Sequence, residues 1–432
     1  MLSDDPWPSS WDRKRFPIGW ACLMLPCVAG LIAWRFPSAI THPASFVAIM
    51  ATLVASWLGA VWAFWRSDKR AHLAAVAAFG LLARLLFVLA PPELSGDVYR
   101  YLWDGQVLRQ GLNPYATPPT PENAEALGAV AYDKMNHRSV KTVYPPLAQA
   151  AFALAGDINN SPRSFKAMAA LFDVACAGLI VLALRRRELP TGRVVAWAAS
   201  PIVLVEFAGH GHSDAMGVAF LLLALLSLDA GRERSSVAAL AGGVLVKFYP
   251  VVFAPLVAMR LRDRRWILAL PALVALAYVP FLGAGPSLVE GLGRYADTWA
   301  FNGSVYELLR WATGDRTVAK ILIAVVTAAI VALLAWRRVD PWRAGAVIGL
   351  CWILGTPTAH VWYVAWALAF LPFTGSPTLF WLGATLPFAH LASIHEMQTG
   401  AFALPPWFAF VEYGPVVPLL TWEIRRARRS TT

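Results

Sequence analysis

The sequence predicts an all-α polytopic membrane protein, and three observations predict it. The chain of 432 residues is 58% hydrophobic and only 15% charged, where soluble domains carry about a quarter of their residues as charges. Its apolar residues fall in runs long enough to span a bilayer as helices, which takes roughly 20 residues each. Those runs lack the period-two alternation of a barrel strand. Because backbone groups in lipid must satisfy one another, a helix bundle remains. The net charge of +11 does not indicate nucleic acid as a partner. The basic residues stand in short clusters between apolar runs, which is the pattern of membrane topology.

Those clusters thread the chain. They are Arg13-Lys14-Arg15, Arg66 to Arg70, Arg185-Arg186-Arg187 with Arg193, Arg232 with Arg234, Arg260 to Arg265, Arg337-Arg338 with Arg343, and "RRARR" from Arg425. Placing all of them on the cytoplasmic side puts both termini inside. Spans are then expected near 17–34, 44–65 and 71–90, so that residues 1–90 form an N-terminal group. The first of these reads as an uncleaved anchor. Residues 91–162 form a first external loop, and residues 163–432 make the remaining bundle. Its spans lie near 163–184, 192–209 and 213–229, then 265–282 and 317–336. Shorter segments follow at 344–357, 361–373, 379–395 and 407–424, giving about 11–13 spans in all.

Residues 236–259 have basic flanks on both sides. About 24 residues are too few for two full crossings at the helical rise of 1.5 Å per residue. A re-entrant pair of short helices with "VLVKFYP" at its apex satisfies both flanks; a single kinked span, which would invert everything after it, is the alternative. Residues 283–316 form a second external loop. In the first loop, "YPPLAQAAFALA" (144–155) is apolar but too short to cross, so it packs at the interface or on the bundle.

The four cysteines lie inside apolar runs without metal-ligand spacing and read as small buried hydrophobes. The 20 tryptophans suit an interfacial belt. "NGS" at 302–304 reads as a loop element. Nothing in the sequence sets an oligomeric state.

With this threading the unusual polar residues converge on the external side: Asp97, Arg100 and Asp104; Glu206, His210, His212 and Asp214; Lys247 and Tyr249; Arg294, Tyr295, Asp297 and Asn302; His360, Trp362 and Tyr363. Ionisable groups at membrane depth usually mark a site or a pathway. Each also has a plainer reading. Asp97 follows a glycine and can cap a helix. Asp104 can pair with Arg100 one turn away. "GHGHSD" (209–214) can gather a metal on its histidines and Asp214, or can be a turn-rich hairpin tip; no metal is predicted. Lys247 can snorkel to the surface, or it can meet an anion. One external carboxylate beside several cations suits transfer of a group whose leaving group is anionic. A sugar on a lipid phosphate fits, with Asp97 taking the acceptor proton and Lys247, Arg294 or His360 stabilising the departing phosphate. A single displacement of that kind inverts the anomeric centre.

Six blocks in order, "SGDVYRYLWDGQVLRQGLNPYATPP", "VYPPLAQAAFALA", "EFAGHGHSDAMGVAFLLLALL", "LVKFYP", "YADTWAFNGSVYELL" and "PTAHVWYVAW", resemble the bacterial membrane mannosyltransferases of glycosyltransferase family 87, within the GT-C superfamily. The "K-x-Y-P" element also resembles the eukaryotic enzyme that starts the GPI-anchor glycan. One departure is Val361, where many relatives have proline before "WY". The resemblance implies a GT-C-type helix bundle with interfacial helices in the first external loop. It also implies a polyprenyl-phosphate hexose donor, most often mannose, and a catalytic carboxylate mapping onto Asp97. By the same resemblance Lys247, Tyr249, Arg294 and His360 are expected at the donor phosphate. Arg100, Asp104, Tyr144, His212, Asp214, Tyr295, Asn302, Trp362 and Tyr363 are the expected supporting residues. The expected partners are membrane lipids, the lipid-phosphate donor and a lipid or glycan acceptor, with no cofactor and a plasma-membrane location. A lipid-linked glycan flippase, which should show matched half-repeats, and a glycan ligase are the alternatives.

Overall fold

A computed structural model describes residues 12–129 and 131–429. The expected cytoplasmic termini fall on residues 1–11 and 430–432, outside the described residues, as do the side chains of Arg13, Lys14 and Arg429. Among the described residues the protein is helical throughout, and its one extended pairing is an isolated bridge between Phe301 and Thr358. It is an all-α, multi-pass membrane protein.

Among the described residues six helices are long and apolar enough to cross a bilayer: Arg15–Arg35, Pro43–Phe64, Arg70–Leu89, Pro162–Arg186, Arg264–Ala284 and Arg316–Trp336. A bent pair, Thr191–Ala198 followed by Pro201–Gly209 at 55°, is together long and apolar enough to form a broken span or a re-entrant loop. Its break has a local cause. Ser200 precedes a proline and is extended (φ −61°, ψ 129°), because the ring of the following proline disfavours helical backbone.

The other expected spans are shorter. Asp214–Asp229 has 16 residues and Pro341–Gly355 has 15, so each is about 23 Å long against a hydrocarbon layer of about 30 Å. Residues 361–374 and 377–399 form chains of short helical pieces, and Phe408–Tyr413 and Val416–Arg429 close the chain. The expected number of spans is reached only by counting these. They are short because they are shielded: Trp197, Leu221, Trp342, Trp366 and Phe370 form the centre of the main core. By contrast, only 11% and 17% of the apolar stretches of Arg264–Ala284 and Arg316–Trp336 are buried within the chain, which leaves those two helices facing lipid.

Residues 233–262 form a hairpin. Helix Glu233–Val246 stops at Lys247, whose backbone is extended (φ −148°, ψ 143°), and the chain returns through Tyr249–Ala258. The legs pack closely, since a Cβ on Gly243 would lie 3.1 Å from the Pro250 ring. The ends meet where the Glu233 carboxylate accepts from the Arg262 amide at 2.5 Å. Lys247 therefore stands at the far tip from this cluster of basic residues. At the same basic end Arg187 pairs with Asp229 at 3.0 Å and with Asp340 at 2.8 Å.

The segment after Arg70–Leu89 builds a small core of its own at the opposite end. Helices Asp97–Arg109 and Pro146–Ile158 enclose Tyr101, Trp103 and Phe152 against Phe165 of Pro162–Arg186. Gly105 permits the approach: a Cβ there would lie 2.6 Å from the Phe152 carbonyl oxygen. All four cysteines are free.

Deep in the bundle Arg84 forms a two-pronged pair with Asp173, including Nη2 to Oδ1 at 2.9 Å. Trp197 Nε1 donates to the same carboxylate at 2.8 Å, and Arg84 Nη1 donates to the Gly80 and Ala198 carbonyls, each at 3.0 Å. Both side chains are buried. Removing one partner strands the other charge, so Asp173→Ala should cost about 3–5 kcal/mol. The Arg84→Met/Asp173→Leu double variant should recover most of that loss. Thermal unfolding of the detergent-solubilised protein reads both; an Asp173→Ala variant as stable as wild type would refute the pairing.

Candidate active site

Asp97 is the first residue of helix Asp97–Arg109, and Gly96 is its N-cap. The aspartate is therefore not the cap, although its charge suits the positive end of the helix. Gly96 lets the Asn136 amide approach closely, since a Cβ there would lie 2.7 Å from Asn136 Nδ2. The Asp97 side chain remains 31% exposed, and its Oδ2 lies 3.6 Å from Nδ1 of the fully buried His212.

His212 anchors an aromatic wall. Its ring stacks on Trp362 at 3.8 Å and 19°, and Trp362 stacks on His360 at 4.3 Å and 10°. Beside the wall, the hydroxyls of Tyr363 and Tyr295 are hydrogen-bonded at 2.7 Å. The Lys247 ammonium lies 5.2 Å from the centre of the Tyr363 ring and donates to Asp214 Oδ2 at 2.6 Å. The other Asp214 oxygen accepts from Trp366 Nε1 at 2.8 Å. Burial first, and then the fields of Asp97 and Asp214, push the Tyr295 hydroxyl up to about 12 against the opposing bonds to Tyr363 and Thr358. Both carboxylates therefore act on this one hydroxyl.

Two loops carry these groups. Phe301 donates its amide to the Pro357 carbonyl at 2.9 Å and accepts from Ala359 at 2.8 Å, which ties the second large loop to the turn before His360. His137 of the first loop packs edge-on against Trp299 of the second at 4.5 Å. Burial chiefly lowers the pKa of His137; Asp97 opposes this, while Arg100 and Arg294 add to it.

The structure thus brings together Asp97, His212, Asp214, Lys247, Tyr295, His360, Trp362 and Tyr363. Arg100, Asp104 and Tyr144 lie beneath them. Asp104 is fully buried, accepting from Arg100 Nε at 2.9 Å, from Thr142 Oγ1 at 2.5 Å and from Gln149 at 3.2 Å. Arg100 Nη1 also donates to the Val140 carbonyl at 2.6 Å. This pair fastens the Asp97 helix to the segment that leads into Pro146–Ile158. Tyr144 packs edge-on against Tyr101 at 5.2 Å. Two other expected residues have their partners elsewhere, and a third is exposed. Tyr249 sits in an aromatic cluster with Trp352 and Trp366 at 5.1 and 4.8 Å. Asn302 is held at φ 53° and donates to Glu412 at 2.9 and 3.1 Å. Arg294 is exposed, as is Asp297.

"GHGHSD" divides between two partners. Asp214 goes to Lys247, while His210 and His212 gather on Glu206, at 3.4 and 3.3 Å. Sequence reading missed the third imidazole there, His390, whose Nε2 lies 2.6 Å from Glu206 Oε1. It missed Trp366 as well. The available signal for His390 was a histidine inside the apolar run "LPFAHLAS", an expensive placement without a partner.

Comparison with known proteins places this chain in a family. The MptA/B family model, described as an alpha-(1->6)-mannopyranosyltransferase N-terminal domain, matches residues 19–263. The alpha-(1->6)-mannopyranosyltransferase A of Mycobacterium tuberculosis is 25% identical over 367 residues, covering 73% of this chain and 68% of that protein. The protein of the same name from Corynebacterium glutamicum is 23% identical over 319 residues, covering 69% of this chain and 64% of its own. The chain therefore spans about two thirds of the length of these relatives. No solved structure matches it. The family match runs through more than half of the chain and includes Asp97, Glu206, His212, Asp214 and Lys247. The chain belongs to the MptA/B family of membrane glycosyltransferases.

Proposed function

We propose that this chain is an inverting mannosyltransferase. It takes mannose from a polyprenyl-phosphate donor and passes it to a hydroxyl of a lipid or glycan on the extracytoplasmic face of the plasma membrane. The relatives are mannosyltransferases by name, and this supports mannose as the transferred sugar. The observation that carries the mechanism is the placement, on either side of the His212–Trp362–Tyr363 contacts, of the solvent-reachable Asp97 carboxylate and of Lys247 at the tip of its hairpin. The basic loops gather at the other end, which supports an external site by the positive-inside rule.

In this mechanism the acceptor oxygen attacks the anomeric carbon as its proton passes to Asp97. The bond from that carbon to the phosphate oxygen breaks, and polyprenyl phosphate leaves with its negative charge. Asp214 accepts one N–H of Lys247. An ammonium has three, so two remain for phosphate oxygens. The His212–Trp362–His360 wall offers a flat surface for the sugar, and the lipid-facing helices accommodate the polyprenyl tail. His212 lies opposite Asp97, with its Nδ1 3.6 Å from the carboxylate.

Loss of a general base typically costs 10²–10⁴ in rate, so Asp97→Asn should lower kcat/KM by about that factor. Its partly exposed carboxylate is a minor fold element, and stability should change by less than ~1 kcal/mol. Purified protein, polyprenyl-phosphate mannose and a panel of envelope lipid acceptors, read by mass spectrometry, test this. Turnover of Asp97→Asn within threefold of wild type, or a product that retains the donor's anomeric configuration, would sink the proposal.

Lys247 needs a different comparison, because Lys247→Met alone leaves Asp214 buried without its cation. Charge-assisted bonds are worth about 1.5–3 kcal/mol, so the Lys247→Met/Asp214→Leu double variant should stay roughly 10- to 100-fold impaired in donor kcat/KM. Recovery of wild-type donor kinetics in the double variant would mean that Lys247 only neutralises Asp214.

A further inference from the structure

We propose that Glu206, His210, His212 and His390 form a binding site for one divalent transition-metal ion, of the kind imidazole prefers, set directly behind Asp97. This revises the expectation of no metal. It also changes the membership of the set: Asp214 is excluded and His390, distant in sequence, is included.

The local backbone is built to converge these groups. Residues Leu204–Gly209 form a π-helical turn, in which the His210 amide bonds back to the Val205 carbonyl at 2.8 Å. Widened turns of this kind are frequent at functional sites. Gly211 then adopts φ 80°, which reverses the chain, and the His212 amide returns to the Glu206 carbonyl at 3.0 Å. Three donor side chains thus come from seven consecutive residues. The fourth, His390, arrives from 184 residues away.

The side-chain geometry fits an ion better than it fits a hydrogen-bond network. All four residues are buried, with at most 4% exposure. Ligand atoms of Glu206, His210 and His390 lie within 4.8 Å of one another. Ligands about 2.0–2.1 Å from a tetrahedral zinc stand about 3.3 Å apart. Glu206 Oε2 lies 3.4 Å from His210 Nδ1 and 3.3 Å from His212 Nε2. The short contact between His390 and Glu206 is a hydrogen bond whose proton a metal would displace, since metal ligands bind deprotonated.

His212 decides between the two readings. As an ion-pair network alone, the cluster leaves both ring nitrogens of this fully buried histidine without a hydrogen bond, which is costly. A metal would take Nε2 and leave Nδ1 as the donor, directed at Asp97 Oδ2, 3.6 Å away. Metal-bound histidines regularly present their other N–H to a carboxylate in this way. The nitrogen-rich set with a single carboxylate suits zinc, iron, nickel or copper rather than magnesium, calcium or manganese, and cobalt serves as the spectroscopic stand-in for zinc. The site itself stands on the cluster's geometry; only its influence on Asp97 rests on the transferase reading.

The test uses full-length protein purified through a tag without histidines. It is stripped with chelator, reloaded separately with zinc or cobalt, desalted, and assayed for metal by mass spectrometry and for cobalt by ligand-field absorption. Wild type should hold about one ion per chain, with the intense visible bands of four-coordinate cobalt. Glu206→Gln and His390→Ala should lose it, and Asp97→Asn should keep it. Should Glu206→Gln not purify as a monodisperse protein, His210→Ala, which removes one ligand at the edge of the turn, should still show at least tenfold weaker cobalt binding. A folded wild type that holds no stoichiometric metal overturns the site, as does wild-type loading in His390→Ala or His210→Ala. Metal-stripped wild type that transfers mannose as fast as the reloaded protein overturns the ion's influence on Asp97 and leaves the transferase standing. One ion per chain in a protein that transfers no mannose supports the site and counts against the transferase.

Discussion

The ion pair between Lys247 and Asp214 holds the Asp97 end of the bundle together. It joins the tip of the 233–262 hairpin to the start of helix Asp214–Asp229. Through Trp366 on the carboxylate and the Tyr363 ring beside the ammonium it also captures the 361–374 segment. Three stretches of chain meet on two charges. A lone lysine at that depth would be expensive, and a lone aspartate equally so. Together they make it possible for the hairpin to end in extended backbone inside the protein, where non-helical chain is tolerated because it is enclosed by other helices.

The same constraint explains why this bundle is built from broken pieces. Each interruption near the site exposes backbone groups, and each is shielded by neighbouring side chains. The bend at Ser200-Pro201 leads into the π-helical turn that carries Glu206. The break at Lys247 is enclosed by Tyr249, Trp352 and Trp366. The loop before Val361 is bridged to Phe301. Long, lipid-facing helices such as Arg316–Trp336 surround these pieces and take up the contact with membrane. The division of labour is physical: uninterrupted helices meet lipid, and interrupted ones present side chains to a site.

The class of protein was legible in the sequence because runs of about 20 apolar residues have few other uses. Much of the polar convergence was legible for the matching reason, since charges such as Lys247 and Asp214 are conspicuous against an apolar background. Less was legible where the partner lies far along the chain. Arg84 and Asp173 are 89 residues apart, and each alone reads as an isolated polar interruption. His390 carries no local motif, and only the fold brings it to Glu206. The number of full crossings was obscured for a related reason. Length and hydropathy do not tell a short shielded helix from half of a broken one, and the shielding comes from the tertiary core around Trp342 and Phe370.

Among the carboxylates near the site, partners separate the roles. Asp104, Glu206 and Asp214 are each fully buried. Asp104 is saturated by Arg100, Thr142 and Gln149, and Asp214 by Lys247 and Trp366. Glu206 is surrounded by three imidazoles. A carboxylate so engaged has little free lone-pair capacity with which to take a proton from an incoming hydroxyl, and none of these three is open to one. Asp97 differs on both counts. It reaches solvent, and its neighbour His212 lies at 3.6 Å, longer than a hydrogen bond. The buried acids are engaged with their neighbours, and only the partly exposed Asp97 keeps its oxygens open to an incoming group. Charge placement and the family resemblance had already pointed to Asp97 as the expected base. The partner accounting is consistent with that proposal, because the other three already have their oxygens occupied.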